Sequence, residues 1–229
     1  MHATSMAIAT MALAGLPALA ATGPVQDMPE SPSDRRDRVL WDQTADPSNR
    51  ALMSQNFEAA LDDYDAQAAD DFVLAGVRGE TRKWILTEVA ARGSINNGPG
   101  VPTSVNVIFY NDRASREYPH LPGSVKQILR NLAYVADFVG NLTIPLPEVP
   151  LDPGVRYWIS VQANMDFHPD GQWYWQNRTT SNLGSAMWRN PRNGWGSGCT
   201  TWAAEWRCWP DIPGDHMFVL KGFRSTHQE

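Results

Sequence analysis

Cysteine is scarce in this chain, with only Cys199 and Cys208 among 229 residues. This scarcity argues against a fold held by several disulfides and against a zinc site, which needs paired CxxC or HxxxH ligands. The five histidines are scattered and supply no such spacing. Two cysteines nine positions apart predict one disulfide that closes a local loop in an exported chain. Trp202, Trp206 and Trp209 surround the pair and are predicted to pack on that loop.

Basic charge is also in short supply. The 19 Lys and Arg residues are outnumbered by 25 Asp and Glu residues, which gives a net charge of −6 at pH 7. Nucleic acids and anionic membrane surfaces attract proteins through an excess of basic side chains, so this composition argues against both as partners. No apolar run is long enough to cross a bilayer, and no membrane span is predicted.

Familiar catalytic motifs are missing as well. The sequence has no G-x-S-x-G elbow, no HExxH motif and no glycine loop for phosphates or dinucleotides. Asp166, His168 and Asp170 form a D-x-H-x-D run, but Pro169 and Gly171 within it favour a turn. We therefore predict a non-catalytic protein without a cofactor. A secreted hydrolase is the alternative, because folding can pair carboxylates that lie far apart in sequence.

The first 20 residues contain no Asp, Glu, Lys or Arg and end in Ala18-Leu19-Ala20, a small-x-small cleavage pattern. This predicts a signal peptide over residues 1–20, and hence a secreted, periplasmic or otherwise extracellular protein. Residues 21–38 are rich in Pro, Ser, Asp and Arg and are predicted to form a disordered leader. Residues 39–223 are then predicted to form one β-sandwich domain, followed by a tail over residues 224–229.

Alternating apolar and polar residues indicate β-strands over much of the chain beyond residue 79, most clearly over residues 104–110 and 157–161. About eight or nine short strands joined by Gly-, Pro- and Asn-rich loops predict an all-β fold. We expect an antiparallel, jelly-roll-like β-sandwich with one local disulfide loop. Residues 51–77 fit a short helix or loop followed by a strand, and residues 125–138 fit either a strand pair or a short helix.

Five stretches of the chain resemble a poorly characterised group of secreted bacterial β-sandwich modules. The stretches are Val39-Leu40-Trp41-Asp42-Gln43, Ser54-Gln55-Asn56-Phe57, Ala68-Ala69-Asp70-Asp71-Phe72, Ser104-Val105-Asn106-Val107-Ile108-Phe109-Tyr110 and Tyr157-Trp158-Ile159-Ser160-Val161-Gln162-Ala163. Modules of this group are similar in carrying an ADDF strand, an NVxFY strand and a YWxSVQAN strand. The resemblance spans residues 39–223 and implies the fold and the export. It brings no activity and no catalytic residue.

Tryptophan is concentrated between residues 164 and 209, which hold seven of the ten. Flat aromatic rings pack on the C–H faces of sugars, so a glycan or another cell-surface component is the predicted partner. Strand alternation places Trp173 and Trp175 on one face and Tyr174 on the other, and one of these faces is expected in the core. The alternative is a structural extracellular module whose tryptophans form the core. The predicted ligand contacts are Trp173, Trp175, Trp188 and Trp195, with Asn177 and Arg178 as polar partners.

Acidic residues are concentrated in residues 51–77, which carry six of them and no base. A solvated acidic face is the simplest interpretation. A structural Ca²⁺ held by Asp42, Asp70 and Asp71 is the alternative, because Ca²⁺ accepts several carboxylate and carbonyl oxygens in flexible geometry. The spacing of an EF-hand loop is missing. The sequence indicates no particular oligomeric state.

Overall fold

The computed structural model describes residues 37–212 and 214–225. The predicted signal peptide over 1–20, the predicted leader up to residue 36 and the predicted tail from residue 226 lie outside the described residues. Arg38 and Arg224 belong to the first and last strands. The strands therefore extend one residue beyond the predicted 39–223 domain at each end.

The regular structure is almost entirely β. A 3-10 helix (Ala59–Tyr64) and the four-residue α1 (Glu205–Cys208) are the helices of the described part of the chain. Neither is long and apolar enough to cross a membrane. The strands are β1 (Arg38–Asp42), β2 (Pro47–Met53), β3 (Gln55–Asn56), β4 (Gln67–Val73), β5 (Trp84–Ala91), β6 (Gly93–Asn96), β7 (Ser104–Arg113), β8 (Leu121–Leu132), β9 (Val135–Ala136), β10 (Leu142–Leu151), β11 (Arg156–Asn164), β12 (Gln172–Arg178), β13 (Met187–Arg189), β14 (Ala203–Ala204) and β15 (Phe218–Arg224).

These strands form three sheets. The first has the order β1-β15-β5-β10-β9, the second β14-β13-β4-β11-β7-β8 with β3 beside β11, and the third β2-β12-β6. The named strands pair antiparallel except for β3 and β11, which run parallel. The predicted all-β, antiparallel sandwich is confirmed. The structure also assigns the two stretches for which the sequence left alternatives open. In residues 51–77 a 3-10 helix precedes β4, and residues 125–138 contribute to β8 and β9.

The second sheet carries buried side chains on both faces, which explains why β11 is buried along its whole length except at its two end residues. Along β11, Tyr157 and Ile159 are buried in the main core, whereas Trp158 between them joins a separate apolar cluster. The neighbouring β7 repeats the pattern, with Phe109 in the main core and Tyr110 in the separate cluster. Because successive strand residues point to opposite faces, the two clusters lie on opposite sides of this sheet. Each fully buried aliphatic or aromatic side chain contributes roughly 1.5–3 kcal/mol.

The predicted disulfide between Cys199 and Cys208 is present, with 6.0 Å between the two Cα atoms. Both cysteines are buried against the main core, and Trp209 packs against the same core. Trp202 is also buried, but in the separate cluster on the second sheet. Trp206 is 56% exposed, so the prediction that it packs on the disulfide loop is wrong. The short α1 turns this side chain outward while it turns Cys208 inward.

Removing the disulfide is expected to lower the free energy of unfolding by about 2–3 kcal/mol, because the bond constrains the unfolded chain over a short loop. The variant is the double substitution Cys199→Ser and Cys208→Ser, measured by urea unfolding. Wild-type protein treated with a thiol reductant is the matched control and should lose a similar amount. Equal stability of the oxidised, reduced and substituted proteins would contradict this expectation.

Candidate functional site

Three of the four tryptophans predicted to bind a ligand lie in the core. Trp173 and Trp175 on β12 and Trp188 on β13 are fully buried. Their indole N–H groups donate to backbone carbonyl oxygens at 2.9, 3.0 and 3.0 Å, respectively. A buried ring whose N–H is satisfied by the backbone has no face to offer a sugar. The prediction of an exposed platform is therefore corrected for these three residues, and the face of β12 that carries Trp173 and Trp175 is the inner one.

The two predicted polar partners are also buried. Asn177 has no exposed surface, and its Nδ2 donates to Glu205 Oε2 at 2.8 Å. Arg178 is 5% exposed and donates through Nε to the Ala45 carbonyl oxygen at 2.9 Å. These contacts fix the end of β12 to neighbouring segments. Asn177 and Arg178 thus serve the packing of the strand and do not line an open ligand site.

Trp195 is the predicted ligand residue that the structure leaves partly open. It is half-buried in the loop after β13 and lines a pocket of about 520 Å³. The pocket lies between the 3-10 helix, the turn before β12 and this loop. It is lined by Phe57, Glu58, Ala60, Leu61, Tyr64, Phe167, His168, Gln172 and Trp195.

The loop that carries Trp195 is held against the 3-10 helix by backbone contacts. Gly194 N donates to the Asp63 carbonyl oxygen at 2.9 Å, and a Cβ at Gly194 would lie 2.4 Å from that oxygen, so only glycine fits. The Asn190 side chain donates to the carbonyl oxygens of Asp63 and Asp65 at 2.7 and 2.9 Å. Its Oδ1 accepts the Trp195 backbone N–H at 3.0 Å. One asparagine therefore ties the loop to the helix and orients Trp195.

Two aromatic neighbours fix the Trp195 ring. Its indole N–H donates to the Tyr64 carbonyl oxygen at 2.7 Å. The Tyr64 ring stands nearly perpendicular to it, at 84° and 5.2 Å between centroids, and Phe57 packs at 6.4 Å. Phe57 is buried and Tyr64 is 38% exposed. The perpendicular rings make a rigid aromatic corner that is open on one side.

Polar groups stand around the aromatic corner. Glu58 Oε2 accepts the Phe167 backbone N–H at 2.8 Å, and the other carboxylate oxygen makes no hydrogen bond within the described residues. His168 is exposed, with its ring 4.6 Å from that of Phe167. Gln172 Oε1 accepts the hydroxyl of Tyr174 at 2.7 Å. Apolar walls with a few convergent polar groups are typical of small-ligand pockets.

The acidic residues proposed for calcium are engaged by protein groups. Asp42 is exposed, whereas Asp70 and Asp71 are buried. Asp70 Oδ2 accepts the His216 backbone N–H at 2.7 Å, and Asp71 is paired with Arg156. Across residues 37–212 and 214–225, no group of three or more His, Cys, Asp or Glu side chains is arranged to hold a metal ion.

The core contains a buried polar cluster that the sequence does not predict. His216 Nε2 lies 2.5 Å from Glu205 Oε1, and both side chains are buried. Burial, followed by the like charge of Asp215, raises the pKa of Asp70 well above its usual value. Burial likewise raises the pKa of Asp215 to about 6. Asp70 comes from a distant part of the chain, and no sequence pattern links it with Glu205, Asp215 and His216. With no exposed surface at Asp70 or His216, the cluster has no route for a substrate.

The fold and the pocket define the class of this protein as an antiparallel β-sandwich with one local disulfide and an aromatic pocket beside Trp195. No protein-family model matches the chain, and no curated protein or solved structure gives a significant match. The resemblance to secreted bacterial modules therefore stays a prediction from the sequence. The assignment of function depends on the chemistry of the pocket.

Proposed function

We propose that this chain is an exported, non-catalytic binding or adhesion module that holds a neutral glycan in the Trp195 pocket. The observation that carries the proposal is the partly open corner formed by the rings of Trp195 and Tyr64. The C–H face of a sugar ring packs on such aromatic surfaces. The pocket volume of about 520 Å³ falls within the range of roughly 300–1,000 Å³ that small ligands occupy.

The polar groups of the pocket suit sugar hydroxyls. The free carboxylate oxygen of Glu58 accepts hydrogen bonds, and the exposed imidazole of His168 both donates and accepts them. Glu58 is the one carboxylate among the described residues that line the pocket. Glycoside hydrolysis uses two carboxylates that flank the scissile bond, so this wall favours binding over cleavage.

Export is supported by the disulfide. Disulfides form and persist in secreted and periplasmic proteins, whereas cytosolic thiols are kept reduced. The observed Cys199–Cys208 bond agrees with that environment, as does the signal peptide predicted over residues 1–20.

A structural extracellular module is the second candidate, and a specific observation favours it. Trp158, Trp173, Trp175 and Trp188 have no exposed surface, so part of the tryptophan content is needed for the core alone. The two candidates differ in their expectation for Trp195. A ligand-binding residue is needed for affinity, whereas a structural residue is needed only for stability.

Replacing Trp195 by alanine is expected to weaken binding of a neutral oligosaccharide by about tenfold or more, because the ring supplies the stacking surface. Purified protein is first tested against cello-, xylo-, manno-, chito- and galacto-oligosaccharides by isothermal titration calorimetry. The variant is then tested with the best ligand. Trp206→Ala is the matched control, because it removes an exposed tryptophan that does not line the pocket.

A second variant separates binding from folding. His168 is exposed, so His168→Ala should retain the wild-type melting temperature while it weakens the same ligand by about threefold or more. Two results would overturn the proposal. One is the absence of binding to every oligosaccharide in the panel, and the other is equal affinity of wild type, Trp195→Ala and His168→Ala.

A further inference from the structure

A second groove lies on the outer face of the second sheet, on the side away from the main core. Its volume is about 630 Å³, and it crosses β7, β8 and β13 beside the disulfide loop. Its floor includes Ile108 and Tyr110 from the apolar cluster on this face. The rim carries the hydroxyls of Ser124, Thr200 and Thr201. No residue of this groove lines the Trp195 pocket.

Arg189 is held in a fixed position in this groove. Its guanidinium carbon stands 4.4 Å from the centre of the Trp202 ring. Its Nε donates to Gln67 Oε1 at 2.8 Å, and its Nη2 donates to the same oxygen. Tyr110 packs edge-on against Trp202 at 5.6 Å and supports the stack. Nη2 also lies 3.5 Å from the Tyr110 hydroxyl, whereas Nη1 makes no hydrogen bond within the described residues and is left for a ligand.

The groove is rich in positive charge, and no carboxylate of the described residues is paired with it. Arg113, Arg130 and Arg189 line it, and no Asp or Glu does. None of the three forms an ion pair with a described carboxylate, although other arginines of this acidic chain do so. Burial lowers the pKa of the Arg189 guanidinium, since removing a cation from water is costly. A bound anion would offset that cost.

We propose that this groove binds the carboxylate of an acidic saccharide, such as a uronate residue of a polysaccharide. The unpartnered Nη1 can donate a charge-assisted hydrogen bond to a carboxylate, and Arg189 is already oriented by Trp202 and Gln67. The hydroxyl-bearing rim suits a polyhydroxy ligand. This site is independent of the Trp195 pocket, and it does not rest on the function proposed above.

The test compares oligogalacturonate with a neutral galacto-oligosaccharide of equal length, by calorimetry on the full chain. We expect the acidic sugar to bind about tenfold more tightly or better, through hydrogen bonds to a charged group. Its affinity should fall as salt is raised, because ions screen the exposed arginines. Equal affinity for the two sugars would overturn the proposal. Equal affinity for a sulfated oligosaccharide or for polyglutamate would overturn the assignment to a carboxylate sugar.

Arginine variants locate the site. Arg189→Gln should weaken oligogalacturonate by about tenfold or more, and Arg130→Gln by about threefold. Lys126→Gln is the matched control, since Lys126 is exposed on the same strand as Arg130 but does not line the groove. It should change the affinity by less than about twofold.

An equal loss in Arg130→Gln and Lys126→Gln would show diffuse charge attraction and overturn the proposed site. Arg130 is exposed, so its variant stays informative if Arg189→Gln fails to fold. Trp195→Ala should leave oligogalacturonate binding unchanged, and Arg130→Gln should leave neutral-sugar binding unchanged. Failure at one site is therefore distinguishable from failure at the other.

Discussion

Replacing Glu205 by alanine is expected to lower the free energy of unfolding by about 3–5 kcal/mol, because two buried polar groups lose their partner at roughly 1–3 kcal/mol each. Glu205 is 2% exposed, and His216 has no exposed surface. Glu205 Oε1 lies 2.5 Å from His216 Nε2, and Glu205 Oε2 accepts from Asn177 Nδ2 at 2.8 Å. Without the Glu205 side chain, Asn177 and His216 both lose a buried hydrogen-bond partner, and His216 is no longer held in its stack on Trp175.

Urea unfolding at neutral pH measures this effect, with two controls. Glu205→Gln keeps the volume and one acceptor oxygen and should lose less, about 1–3 kcal/mol. Glu148→Ala removes an exposed glutamate on β10 and should stay within about 0.5 kcal/mol of wild type. If Glu205→Ala were as stable as Glu148→Ala, the buried pair would contribute nothing to the fold.

The protein is expected to lose stability as pH rises from about 4 to 7, because Asp70 and Asp215 hold protons more firmly in the folded state than in the unfolded state. Near pH 4 and below, their contribution is fully present. Above that, the unfolded chain releases these protons first, and ionisation in the core becomes a cost. For Asp215, the rise in pKa from 3.8 to about 6 corresponds to about 3 kcal/mol.

Free energies of unfolding measured between pH 4 and 7.5 test this trend. Asp215→Asn removes one titrating carboxyl and should flatten the decline, whereas Asp211→Asn, an exposed control, should leave it unchanged. Asp137 has a pKa lowered by hydrogen bonds from Asn141, so its opposite contribution is lost only at lower pH. Stability that rises with pH across the window, or an unchanged slope in Asp215→Asn, would contradict the assignment.

The fold was predictable because sequence alternation reports directly on sheet faces. In β11, Tyr157, Ile159 and Val161 at alternate positions enter the main core, which is the alternation that the sequence shows. The same reasoning required one aromatic face of β12 to be internal. It did not show which face, because that depends on which sheet covers the strand. Trp173 and Trp175 proved to be the internal pair.

The Trp195 pocket was only partly predictable. The glycine- and asparagine-rich loop marked Trp195 as a candidate for display, but Tyr64 and Phe57 come from a distant segment and gave no local signal. The Arg189 groove was missed for the same reason. Arg189 and Gln67 meet through the pairing of β13 with β4. Glu205 and His216 are 11 positions apart, but no sequence motif predicts their buried contact.

The most direct test of the proposed function follows the ten tryptophan indole N–H signals in an NMR spectrum during titration with a neutral oligosaccharide. The Trp195 indole N–H donates to Tyr64 at the pocket wall, so its signal should shift progressively and saturate with the ligand. The signals of Trp173, Trp175 and Trp188 belong to buried indoles and should stay unchanged. A bound oligosaccharide that leaves the Trp195 signal unmoved would contradict the proposed glycan site.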